Sequence, residues 1–259
     1  MSFSSLPPSL AAYSAFLAFV FGLVFGSFGN AWAWRIVHHE RISRGRSHCP
    51  VCGHTLGAKD LVPLASWLLL GGKCRYCRAP IPRRYPFAEL LCAAVFLSAL
   101  LRWGVTWSLL RFLLLGFFLM VASLVDYDSM ELPDGLLLAG AAASLLRLWE
   151  DPGAWKSMLA GALLVPAALL LLVLIMDRVL GRESMGGGDI KLLAVLGLHL
   201  GPLALGLALL VSCVLGLLFA LLRRQKKSEP FPFGPMLALG GWLTMLFGSG
   251  VLQWYLALL

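Results

Sequence analysis

The stretch Ser157–Asp177 reads SMLAGALLVPAALLLLVLIMD and carries its only charge at its last residue. At 1.5 Å rise per residue, an apolar run of this length crosses the ~30 Å hydrocarbon layer of a bilayer as one helix. Runs of the same character recur on both sides of it, which predicts spans at 10–34, 86–102, 107–125, 134–149, 157–177, 189–200, 203–222 and 233–258. The sixth is short for a full crossing, and Gly201-Pro202 separates it from the seventh. Composition agrees. Hydrophobic residues make up 59% of the 259 positions and charged residues 13%, against about 25% charged in soluble domains. The expected class is an all-α membrane protein of about eight transmembrane helices. No Lys or Arg precedes the first apolar stretch and no small-residue cleavage site ends it, so that stretch is expected to be a retained helix.

Charge orients these spans. Residues 35–85 hold ten bases (Arg35, Arg41, Arg44, Arg46, Lys59, Lys73, Arg75, Arg78, Arg83 and Arg84) against two acids, Glu40 and Asp60, while the rest of the chain is neutral. A Lys/Arg excess beside a span marks the cytoplasmic side, so this segment is expected inside and the N-terminus outside. Topology accounts for the basic stretch, and no nucleic-acid partner is expected. The expected inside loops are 126–133, 178–188 and 223–232, the last holding Arg223, Arg224, Lys226 and Lys227. The expected outside loops, 103–106, 150–156 and 201–202, contain only Lys156 as a base, and Arg147 with Trp149 suits an interfacial anchor. Gly22 with Gly26, and Gly197 with Gly201, have the spacing that lets helix backbones approach, for packing inside the bundle ahead of dimerisation.

The basic loop contains Cys49-Pro-Val-Cys52 and Cys74-Arg-Tyr-Cys77. Two such knuckles put four thiolates on one metal, the arrangement of structural zinc, and Gly53 permits the tight turn after the first. A reducing cytoplasm disfavours the disulfide alternative, and no βαβ pattern suggests a redox motif. His48 and His54 are alternative ligands or outer neighbours. A closed four-ligand site folds a small loop that has no core of its own. Cys92 and Cys213, inside expected spans, read as small apolar residues.

Acids near spans are costly and therefore informative. Asp126, Asp128, Glu131 and Asp134 lie in VDYDSMELPD (125–134), at the inner end of the third span, and Asp189 ends MGGGD (185–189) at the start of the sixth. Two carboxylates brought together share one proton, so one acts as base while the other protonates a leaving group. The alternative is that these acids cap helices, as suits Asp134 after Pro133 and Asp189 after its glycine run.

The ordered set comprises Ser27-Phe28-Gly29-Asn30 with Arg35, the two CxxC pairs, and Arg84-Tyr85-Pro86-Phe87-Ala88-Glu89-Leu90. It continues through Asp126 to Pro133-Asp134, Gly186-Gly187-Gly188-Asp189 and Pro232-Phe233-Gly234-Pro235. From about residue 20 to 240 this resembles the bacterial prepilin leader peptidases, GxGD-type aspartic proteases of type IV pilus and type II secretion systems. The resemblance implies Asp126 and Asp189 as the catalytic pair, with Asp128 the second choice for the first, and Lys191 tuning the pair or binding a lipid headgroup. It implies a bacterial inner-membrane enzyme with its active site at the cytoplasmic face. Such an enzyme removes a short basic leader from type IV prepilins and pseudopilins, after a glycine and before an apolar helix.

Members with the cysteine loop also methylate the new N-terminus with S-adenosylmethionine, and Glu89 is a candidate for that site. No glycine-rich fingerprint marks a cofactor site. Gly29 and Ile36-Val37 stand where family members often have Leu and a Leu-Pro. The expected organisation is a first helix at 1–34, a zinc loop with the methyl-transfer part at 35–85, and the peptidase domain at 86–259. Rival readings are a peptidase with a purely structural zinc loop, a proton-coupled transporter using the same carboxylates, and a non-catalytic assembly protein docking through the loop.

Overall fold

A computed structural model describes residues 3–41, 45–181, 185–222 and 231–258. The bases Arg223, Arg224, Lys226 and Lys227, and Arg44 in the first loop, lie outside the described residues. Among the described residues the chain is helical and forms no strand, only two isolated antiparallel bridges, His48–Thr55 and Lys73–Pro80. It divides into two compact units, Met1–Leu109 and Leu110–Leu259.

In the first unit α1 (Pro8–Val37) packs on α3 (Arg84–Trp103), with the short α2 (Ala65–Leu69) in the connection between them. Glycine sets the α1–α3 distance. A Cβ on Gly22 would collide with the backbone of Ala93, and one on Gly26 would stand 2.7 Å from the Cα of Glu89. The opposite surface of α1 exposes Phe16, Phe21, Val24 and Phe28, an apolar face that suits lipid contact.

The second unit is built from α4 (Trp107–Ser129), α5 (Asp134–Ser144), α6 (Leu146–Glu150), α7 (Trp155–Leu180), α8 (Gly187–Leu200), α9 (Pro202–Leu222) and α10 (Gly234–Leu256). α7 packs on α8 through Gly161 and Gly197, where a Cβ on either would strike the other's backbone. α9 packs on α10, where a Cβ on Gly240 would run into Ser212. Leu192, Leu193 and Leu196 of α8 are fully buried, whereas α7 exposes Leu163, Leu164, Leu171 and Leu172. Both GxxxG pairs therefore serve packing within the chain, as their spacing predicts: Gly201 lies against Ser157 as Gly197 lies against Gly161.

Six helices among the described residues are long and apolar enough to cross a membrane: α1, α3, α4, α7 with its preceding turn, α9 and α10. The membrane class predicted from sequence holds, but eight full spans are not borne out by length. The expected span 134–149 breaks at Leu145 into α5, of 11 residues, and the five-residue α6. The expected span 189–200 is α8, of 14 residues, which rises only ~21 Å. It starts after the extended Gly186 and stops at Gly201, whose φ of 78° ends the helix before Pro202 starts the next.

Candidate active site and metal centre

Two sites emerge, one in each unit. In the second unit, α4 ends where Met130 turns into the left-handed region (φ 56°) and its N–H bonds back to the Asp126 carbonyl. Asp126 thus opens the last turn of α4. Its side chain is buried, only 5% exposed, and its Oδ2 accepts a 3.0 Å hydrogen bond from the Gly234 N–H at the start of α10. Only glycine fits there, because a Cβ on Gly234 would stand 2.7 Å from that oxygen. Asp128 is exposed. Two residues on, it is turned about 200° around the helix from Asp126, so the two acids lie on opposite faces.

Asp189 is half-buried in the first turn of α8, with Gly186 as the N-cap. The capping position that the glycine run suggests for Asp189 thus belongs to Gly186 instead. The run serves close approach, since a Cβ on Gly188 would press to 3.0 Å from the Leu132 side chain. This brings α8's first turn, with Asp189, against the 130–133 connection that follows the helix of Asp126. Asp134 is the first residue of α5 and pairs with Lys191 at 2.7 Å. Lys191 therefore reaches an exposed carboxylate and not the buried one. Glu131 is exposed.

Two carboxyl groups close enough to share one proton can serve as base and acid to a single water. The glycine of Pro232-Phe233-Gly234-Pro235 is a partner of the site to which the sequence alone assigns no role. A signal for it exists, since a Gly-Pro after a polar loop marks a helix start with free N–H groups.

In the first unit the Sγ atoms of Cys49, Cys52, Cys74 and Cys77 all lie within 4.8 Å of one another, and none forms a disulfide. Four sulfurs about 2.3 Å from one zinc ion stand about 3.8 Å apart, and the Cys49–Cys77 separation is 3.9 Å. The set therefore fits a tetrahedral metal. The two knuckles share one geometry. The Cys49 N–H donates to the His54 carbonyl and the Gly53 N–H to the Cys49 carbonyl, while Cys74 with Ala79 and Arg78 with Cys74 repeat the pattern. Gly53 (φ 68°) and Arg78 (φ 61°) occupy the equivalent left-handed position. The backbone N–H of Cys52 is the chief cause that brings the Cys49 thiol down to about 7, whereas Cys77, despite the Ala79 backbone hydrogen bond, is pushed up to about 11 by burial and the neighbouring thiols.

Asp60 fastens the second knuckle. It accepts Arg75 Nε at 2.6 Å and the Tyr76 hydroxyl at 3.2 Å, and the Arg75 hydrogen bond holds its carboxyl below the ordinary value. His54 lies on the Tyr76 ring and His48 against the edge of Trp34, so both are ring partners and the described ligand cluster is all cysteine. Cys92 is buried in the α1–α3 packing, whereas Cys213 is exposed on α9.

A partly open cavity of about 210 Å³ adjoins the knuckles within this unit. Its lining includes Ala31, Trp34 and Arg35 of α1, Trp67 of α2, and Tyr85 and Glu89 of α3. Glu89 is buried, accepts the Leu64 N–H at 2.6 Å and is hydrogen-bonded by Ser27. Ser27 of the first motif and Glu89 of the third, far apart in sequence, thus meet.

Comparison with known proteins agrees with this division. Residues 20–103 match the bacterial peptidase A24 N-terminal domain, and residues 112–221 match the type IV leader peptidase family. A prepilin leader peptidase/N-methyltransferase of Aeromonas hydrophila is 40% identical over 218 residues, covering 82% of this chain and 74% of that protein. The protein of the same description from Pseudomonas aeruginosa is 39% identical, with 81% and 74% covered. That from Bacillus subtilis is 35% identical, with 93% and 97% covered. No solved structure matches.

Proposed function

The chain belongs to the type IV leader peptidase family, and on that premise we propose that Asp126 and Asp189 carry peptide cleavage while the first unit carries methyl transfer. It is a multi-pass membrane enzyme, a prepilin peptidase that also N-methylates its product. In cleavage, the ionised carboxyl of the pair takes a proton from a water, whose oxygen attacks the scissile carbonyl carbon. The protonated carboxyl gives its proton to the departing nitrogen as the C–N bond breaks. The observation that carries this reading is the buried Asp126 carboxylate, held by the Gly234 N–H, with Asp189 on the first turn of α8, which lies against the connection that follows α4.

The substrate reading is a type IV prepilin or pseudopilin, cut after a glycine at the junction of a basic leader and an apolar helix. The Lys/Arg excess of residues 35–85 supports an outside N-terminus and an active site at the cytoplasmic face of the bacterial inner membrane. There the leader stays in water while the helix stays in lipid. Zinc in the Cys49, Cys52, Cys74 and Cys77 site folds the loop 45–81, since four protein ligands leave no open position for a reacting water. S-adenosylmethionine, when bound, supplies an electrophilic methyl group for the new terminal amine. Surrounding lipids contact the exposed apolar faces of α1 and α7. The transporter reading finds no support in the family of the chain.

Incubating the purified chain with a prepilin and methyl-labelled S-adenosylmethionine tests both halves at once. Cleavage with label on the shortened product is the expected result. Cleavage without label restricts the chain to peptidase chemistry, and no cleavage contradicts the reading.

A further inference from the structure

We propose that the cavity beside the cysteine knuckles is the S-adenosylmethionine seat, with the Glu89 carboxylate facing the sulfonium. This rests on the methyl-transfer reading above and names the residues that perform it. Glu89 is only 7% exposed, yet among the described residues no Lys, Arg or His pairs with it. A buried carboxylate is ordinarily matched by a cation. Here its protein partners are two neutral donors, the Leu64 N–H and Ser27.

The surrounding backbone is shaped to hold it so. Gly26 lets α1 close to within contact of the Glu89 backbone, and Leu64 adopts φ 59°, a conformation β-carbons resist, as it donates to Glu89. The surrounding walls are aromatic. The Trp67 ring is fixed by its Nε1–H on the Ile81 carbonyl and lies against Gly72, where a Cβ would stand 2.9 Å from the ring. Trp34 and Tyr85 line the same cavity, and Arg35 adds a guanidinium.

These groups match the parts of the cofactor. Aromatic faces take a flat purine and also attract a cation. A guanidinium takes a carboxylate, and the buried acid that no side-chain cation pairs takes a sulfonium, since Asp60 in the same lining is already matched by Arg75. A neutral ligand would leave Glu89 uncompensated.

The test measures binding on the full-length chain in detergent micelles, by equilibrium dialysis with labelled S-adenosylmethionine and labelled S-adenosylhomocysteine, whose sulfur is neutral. Glu89→Gln keeps the shape and the acceptor for Leu64 and is expected to weaken S-adenosylmethionine binding about tenfold or more. Binding of S-adenosylhomocysteine should change by less than about threefold, since its sulfur carries no charge. Ala31→Phe, which fills the cavity from α1, is expected to abolish binding of both. Equal loss of both ligands in Glu89→Gln overturns the sulfonium assignment, and wild-type binding in Ala31→Phe overturns the cavity. A wild-type chain that binds neither ligand and transfers no label fails the methyl-transfer reading itself. A wild type that binds normally while both variants also bind normally fails this site alone.

Discussion

The backbone N–H of Gly234 donates a 3.0 Å hydrogen bond to Asp126 Oδ2, joining residues 108 positions apart. The start of α10 is thereby tied to the end of α4, and the tie admits no side chain at Gly234. Gly234→Ala is expected to push the Asp126 carboxyl from its place and to cost the hydrogen bond. Prepilin cleavage should fall about ten- to hundredfold, the rate equivalent of one hydrogen bond to a carboxylate. Steady-state kinetics on the variant, with helicity checked by circular dichroism, measures it. An unchanged rate would separate Asp126 from Gly234 functionally.

The metal centre makes its own prediction. Metal analysis of the purified chain is expected to find one zinc ion per chain, and Cys74→Ser to lose it. Limited proteolysis should then open the loop 45–81 while the second unit resists, because the metal supplies folding energy that this loop lacks. A Cys74→Ser chain that keeps both its zinc and its protection would contradict the four-cysteine site.

Asp60 gives that loop a pH dependence. The Arg75 hydrogen bond lowers its folded carboxyl below the unfolded value of about 3.9, so its stabilisation is complete above that value. It is lost as pH falls through the folded value. Arg75→Ala should therefore make the loop more sensitive to protease from neutral pH down to about pH 5. The gap to wild type should close below about pH 4, with both proteins compared in the same metal state. A gap that widens on acidification would reverse the assignment.

The α1–α3 crossing tolerates no bulk at Gly26, 2.7 Å from the Glu89 backbone. Gly26→Val is expected to lower stability by about 1–3 kcal/mol, the range for overpacking. Thermal unfolding of the first unit, followed by the temperature at which protease begins to cut the loop 45–81, measures the change. Wild-type stability would mean that the helices have room to part.

Much of this fold is legible in the sequence because it depends on local pattern. Apolar run length announces spans such as Ser157–Asp177, and CxxC spacing announces a four-thiol cluster whatever the fold around it. Length is where the pattern misleads. α5 stops at Ser144 and α8 at Leu200, and an apolar run does not by itself reveal a break at Leu145 between alanines and leucines. Proximity in sequence misleads at Lys191 too: it stands two residues from Asp189, but its ammonium ends on Asp134.

The other gaps are long-range. Nothing local to Gly234 says that its N–H meets Asp126, nor does Glu89 announce Ser27 and Leu64. Such pairs depend on helix crossings, and a glycine pattern shows only that a crossing exists, without naming its partner. Asp128 separates from Asp126 only once the helix fixes which face is buried.

The central claim is that Asp126 and Asp189 together cut the leader peptide. It is tested most directly by cleavage of a purified prepilin with Asp126→Asn, Asp189→Asn and, as the exposed neighbour, Asp128→Asn. The first two are expected to leave the prepilin uncut with helicity and zinc content intact, and the third to cut it. Full cleavage by either Asp126→Asn or Asp189→Asn would contradict the account.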